Sequence, residues 1–183
     1  MSTLITDNVN TGTIKDSTGN TTAITIDSAG RVAQPQKPYL FAHVTGTNPA
    51  ITPAGFTGKV PYNDVFGSSG ISLDTSTSLF TVQVTGLYQI NAAVRIQGNR
   101  TFVYWAVVDD NGGNPQVLPD ADGGNNIVTG VGSATGPGFG TAVGSVLQRL
   151  QTGKSYYIRC NDSSGTATTI QVNQTWLQIY FVG

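Results

Sequence analysis

Four aspartates, Asp109, Asp110, Asp120 and Asp122, fall in or beside one Gly- and Asn-rich stretch, DNGGNPQVLPDADGGNNIVTGVGSATGPGFG, residues 110–140. Carboxylates mixed with amides and free carbonyls are the ligands that a hard cation such as calcium takes. The pattern is incomplete, because DADGGNN lacks the terminal glutamate of a helix–loop–helix calcium loop. The four are calcium candidates set against the favoured reading of solvated turn carboxylates. His43 is the only histidine. It sits in a strand-like segment, and a general base needs partners that the sequence does not supply. Cys160, the only cysteine, lies in YYIRC. With no histidine beside it to lower its pKa, it reads as a small apolar core residue.

Two glycine-rich stretches fail as phosphate cradles. GPGFGTAVG, residues 136–144, opens no helix; GFTGKV, residues 55–60, lacks the glycine spacing and the Ser/Thr of a P-loop. The Asn-x-Ser/Thr triplets at Asn20, Asn99, Asn161 and Asn173 matter only in a secreted chain. No catalytic residue, cofactor or resident metal is expected, and the chain is read as a non-enzyme.

The elements that position these residues are strands. Charged residues make up 10 % of the 183, against about 25 % in typical soluble proteins. Thr, Ser, Asn, Gln and 23 Gly carry the polarity. Hydroxyl and amide side chains suit strands and turns. The formal charge is −1, with the nine basic residues scattered. No electrostatic footprint for a nucleic acid is present. No apolar run has the length of a membrane span, and MSTLITDN lacks the charged and apolar regions of a secretory signal. The expectation is a chain folded in a cytoplasm without disulfides.

No window carries a clean 3.6-residue apolar period. Alternating segments bounded by turn residues predict strands over 39–44, 59–65, 71–73, 79–84, 86–96, 100–109, 141–150, 155–161 and 170–182. The clearest is 86–96. Tyr88, Ile90, Ala92, Val94 and Ile96 share one face, and Leu87, Gln89, Asn91, Ala93 and Arg95 the other. Two strands are apolar on both faces. Val103, Trp105 and Val107 oppose Phe102, Tyr104, Ala106 and Val108. Trp176, Gln178 and Tyr180 oppose Leu177, Ile179 and Phe181. A sandwich strand needs one apolar face, so the second implies contact between subunits. Val103, Trp105, Trp176 and Tyr180 are the expected interface residues. Residues 110–140 are expected to be one long loop presented outward.

The N-terminal stretch KDSTGNTTAITIDSAGRV repeats Asp-Ser-x-Gly, at residues 16–19 and 27–30. Asp caps such a turn and Gly supplies positive φ, which gives strand–turn units over 11–15, 21–26 and 31–33. Their apolar residues, Ile14, Ile24, Ile26 and Val32, are too few for a core in one chain. Three copies around an axis would bury them together. Residues 1–37 therefore read as an anchor or stem, with QPQKP at 34–38 a stiff joint. Residues 38–183 read as the head.

The stretch VPYNDVFGSSGISLDTSTSLFTVQVTGLYQINAAVRI, residues 60–96, resembles the globular heads of the complement and tumour-necrosis-factor family. Leu73-Asp74, Phe80-Thr81, Val84, Gly86 and Tyr88 carry the match, while LFAHV and WLQIYFVG resemble that family's first and last strands. Ile90 stands where the family has an aromatic residue, the 110–140 stretch is longer, and no collagen-like Gly-x-y repeat occurs. The resemblance implies an all-β, ten-strand jelly-roll sandwich that assembles as a compact homotrimer. The leader is similar to those of tailed-bacteriophage virion proteins. That similarity implies a surface projection on the virion, a capsid decoration or a tail-fibre tip. It would be held to other virion proteins through residues 1–37 and would touch a glycan or protein of the host surface. The alternative is a trimeric bacterial adhesin or lectin-like module.

Overall fold

Runs that alternate apolar and polar residues bury one side only when extended, and Gly, Pro, Asn and Asp break them into short lengths. The computed structural model describes residues 12–15, 22–26, 28–29, 32–33, 37–53, 58–98, 102–118, 127–131, 138–162 and 166–183. The chain divides into two units, Met1–Gln36 and Lys37–Gly183.

The first unit holds β1 (Gly12–Lys15), β2 (Thr22–Ile26) and β3 (Val32–Ala33), an antiparallel sheet in that order. Its register sets Ile14 opposite Ile24, and Ile26 opposite Val32. Ser28 and Ala29, from the second Asp-Ser-x-Gly, form the turn between β2 and β3. The first copy, at 16–19, and residues 34–36 of the joint lie outside the described residues.

The second unit contains β4 (Tyr39–His43), β5 (Ala50–Ile51), β6 (Asp64–Ser69), β7 (Ile71–Asp74), β8 (Leu79–Val82), β9 (Gly86–Gln97), β10 (Phe102–Asp109) and β11 (Gln116–Val117). It continues with β12 (Ile127–Val131), β13 (Phe139–Leu150), β14 (Ser155–Asp162), β15 (Thr168–Thr169) and β16 (Trp176–Phe181). The ladder runs β6-β4-β16-β9-β13-β12-β10-β14-β8-β7, with β11 on β10 and β15 on β5. Every pairing is antiparallel, and chain neighbours are often separated in space, which is jelly-roll connectivity. Strands β6-β4-β16-β9-β13 make one leaf and β12-β10-β14-β8-β7 the other. Val131 paired with Thr141 joins the two leaves.

Leu40, Ile90, Leu177 and Ile179 of the first leaf share one buried cluster with Trp105, Val107, Tyr156 and Ile158 of the second. Each large side chain buried there contributes about 1.5–3 kcal/mol. The face of β9 chosen by alternation is the core face: Tyr88, Ile90, Ala92, Val94 and Ile96 are all wholly buried. Tyr88 keeps its hydroxyl satisfied by donating to the Val84 carbonyl at 2.6 Å. Gly86 is needed for close packing rather than for a turn. A Cβ there would strike the Phe181 ring and come within 2.7 Å of the Gly183 carbonyl oxygen.

Two strand expectations and one loop expectation shift. The strand expected over 59–65 is displaced to Asp64–Ser69, because Pro61 has no N–H for a ladder. Lys59 makes only an isolated bridge to Arg159, while Val60 and Tyr62 plug the core from a loop. The last strand begins at Trp176, since Asn173 turns the chain with φ 58°. The 110–140 stretch is not a single loop: β11, β12 and the start of β13 lie within it.

Candidate functional site

Antiparallel register gathers a surface on the outward side of the β6-β4-β16-β9-β13 leaf. Leu40 and Ala42 point into the core, so Tyr39, Phe41 and His43 stand on the opposite face. Leu177 and Ile179 do the same for β16 and leave Trp176, Gln178 and Tyr180 outward. Pairing aligns these side chains in rows across the strands. One row is His43, Trp176, Ala93 and Val143; the next is Phe41, Gln178, Asn91 and Ser145; the third is Tyr39, Tyr180, Gln89 and Leu147.

Aromatic contacts stiffen one side of this face. Phe41 meets Tyr39 at 5.5 Å and Tyr180 edge-on at 5.4 Å between ring centroids. His43 stacks on Phe66 at 4.2 Å, with its Nε2 3.4 Å from Asp64 Oδ2. At both margins large apolar side chains are bare: Phe66 is 75 % exposed, Val143 57 % and Leu147 54 %. Amides fill the middle, where Gln89 donates to Asn91 and to Ser145, each at 3.3 Å. Apolar anchors around amides are the make-up of a protein-contact surface.

Trp176 and Tyr180 lie on this face. Val103 and Trp105 do not. Both are fully buried in the core of the single chain, so their side chains are unavailable to a second copy and the expected interface role is corrected. Ala106 and Val108, on the other face of β10, are also fully buried within the chain. The chain itself thus covers both faces at the C-terminal half of β10, while Phe102 at its start stays 41 % exposed. The sequence reading missed Tyr39, Phe41, Phe66, Val143 and Leu147. The signal was present in Tyr39-Leu40-Phe41, where apolar residues occupy both strand parities.

Of the four candidate aspartates, the structure describes Asp109 and Asp110. Asp109 ends β10 almost buried, and its Oδ2 is 2.5 Å from the Lys154 ammonium. Its Oδ1 accepts the Asn111 N–H at 2.9 Å. A cation would have to displace an ammonium, whose pKa this hydrogen bond and charge raise. Asp110 lies beside it on a shallow surface depression with Asn111 and Lys154. Asp120 and Asp122 lie outside the described residues. Among the described residues no three His, Cys, Asp or Glu side chains stand close enough to hold a metal. Cys160 is wholly buried, and burial pushes its thiol up to about 12, which keeps it protonated and unreactive near neutrality.

The strand order and the two packed leaves define an all-β jelly-roll sandwich. In solved structures it is similar to murine APRIL at pH 8.0, with a TM-score of 0.55 and 12 % identity, over 80 % of this chain and 100 % of that one. It is similar also to the globular domain of zebrafish complement 1qA protein, with a TM-score of 0.51 and 13 % identity, over 80 % of this chain and 98 % of that one. No protein-family model matches the sequence, and a search of curated proteins finds no match.

Proposed function

We propose that this protein is a structural and binding component rather than an enzyme: a homotrimeric jelly-roll projection on the surface of a tailed-phage virion. In this reading the head self-associates through the outward face of the β6-β4-β16-β9-β13 leaf. The observation that carries it is the bare apolar margin, Phe66, Val143 and Leu147, flanking the aromatic band of Phe41, Trp176 and Tyr180. Such a margin exposed to water favours association. A closed ring buries the same surface on every copy.

The leader supports the virion part. It forms its own small sheet, which is too thin to supply a stable core alone. Residues 1–37 then attach the head to other virion proteins as a capsid decoration or tail-fibre tip, and the head meets the host surface. Mass measurement in solution tests the assembly, with three times the 19.1 kDa chain expected. Incubation of tagged protein with particles that lack it tests the placement. Uptake into particles supports the virion role. Binding of the isolated head to cells, without particle uptake, replaces it with a bacterial adhesin.

A further inference from the structure

Among the described residues, Arg95 is a cation held by an aromatic ring rather than by a carboxylate. Arg95, near the end of β9, lays its guanidinium on the Phe139 ring at 4.3 Å. Its Nε is enclosed and no acceptor meets it. Among the described residues no carboxylate pairs with the guanidinium. The backbone around it is fixed: the Arg95 N–H donates to Thr175 Oγ1 at 3.1 Å, and its carbonyl accepts the Gln171 N–H at 2.8 Å. The Gln171 side-chain amide nitrogen is also buried and likewise meets no acceptor. Burying donors without acceptors is costly, and such groups call for an explanation at each site.

The surroundings are hydroxyl and amide. Thr141 stands opposite Arg95 in the β9–β13 register, and Phe139 opposite Gln97. Thr169 donates to Gln97 Oε1 at 3.0 Å. Phe139 remains 40 % exposed. A stacked guanidinium has lost most of its rotamer freedom, so its outer N–H pair is pre-organised for a planar, bidentate acceptor. The partly exposed ring and the Thr/Gln side chains suit a ligand that carries C–H faces and hydroxyls beside that acceptor.

We propose that Arg95, Phe139, Gln97 and Thr141 form a binding site for an acidic saccharide, with the carboxylate on Arg95 and the sugar ring against Phe139. The inference deepens the host-contact part of the proposed function by giving it a chemistry, and it rests on that reading; the site stands on the same outward face but beyond the Ala93–Val143 row, so it requires that the contact between copies stop at that row.

Titration of the full-length protein with glucuronate and with N-acetylneuraminate, followed by backbone amide shifts, tests it. Shifts clustered at β9, β13 and residues 168–171 are expected. Arg95→Gln should weaken binding by about tenfold or more, as expected for the loss of a charge-assisted bidentate pair. Phe139→Ala should weaken it several-fold. Unchanged circular dichroism and melting of both variants establishes that the fold survives. No saturable binding of either acid, or equal binding by Arg95→Gln, overturns the site. Acetate binding as tightly as glucuronate overturns the saccharide assignment. If Arg95→Gln alters the solution mass while the native protein binds neither acid, the cation serves contact between copies, and the proposal fails. Particle uptake reads the virion role separately, so loss of one leaves the other intact.

Discussion

At the scale of single residues, two side chains show how surroundings set behaviour. Asp74 opens the turn between β7 and β8, and its Oδ1 accepts from the Ser76 hydroxyl at 2.6 Å and the Ser76 N–H at 2.8 Å. Those hydrogen bonds hold its carboxyl at about 2. The folded pKa is depressed below the ordinary carboxylate range near 3.9. Its contribution is therefore complete above about pH 4 and is lost as pH falls through about 2. An NMR titration of the Asp74 carboxyl should show a midpoint near 2, and Asp74→Ala should flatten the acid limb of the stability curve. A midpoint near 4 would mean the turn is open in solution. Trp105 behaves differently: it is fully buried, and its indole N–H meets no acceptor among the described residues. Trp105→Ala should cost about 3–5 kcal/mol through the cavity it leaves. Trp105→Phe removes the unpaired donor along with some volume and should cost clearly less. Urea midpoints of the two variants compare them directly.

At the scale of elements, close backbone approaches decide which substitutions the sheets accept. Gly58 is buried against β14, where its carbonyl accepts the Cys160 N–H at 2.7 Å. A Cβ at Gly58 would collide with the Cys160 backbone carbonyl, and backbone cannot swing aside as a side chain does. Gly58→Ala should lower stability by about 1–3 kcal/mol, the usual cost of overpacking. An unchanged melting temperature would show that the 58–60 segment does not press on β14. The strands themselves were legible where one face is apolar and the other polar. The alternation in 86–96 predicts β9 and its buried face, because burial on one side is what period-two spacing produces. Strand β12 was hidden. Its sequence IVTGV contains Gly and sits among Gly and Asn, so local composition reads as loop. Pairing with β10 and β13 makes it a strand, and that is a long-range contact.

At the scale of the whole molecule, the proposed assembly is expected to separate from protomer stability. Trp176 and Tyr180 lie outside the core, on the face proposed for self-association. Trp176→Ala together with Tyr180→Ala should leave a folded head, with little change in near-ultraviolet signal from Trp105, yet lower the solution mass toward 19.1 kDa. A double variant that keeps the native mass would move the contact to another surface. Removal of residues 1–36, the first unit, should leave the head folded and self-associated while abolishing uptake into particles.

The sequence by itself determined the all-β class, most strand positions in the second unit, the strands of the first unit and the inward face of β9. Each follows from local alternation and turn chemistry, which act over a few residues. Only the tertiary structure decided which apolar residues are spent inside the chain. Val103 and Trp105 read as surface anchors in a doubly apolar strand, but the facing leaf covers them. Val143 and Leu147 read as ordinary strand residues and Phe66 as part of a turn, but all three stay more than half exposed. Alternation says which side chains share a face. Which face meets another sheet and which meets water depends on strands far apart in sequence, brought together by antiparallel pairing.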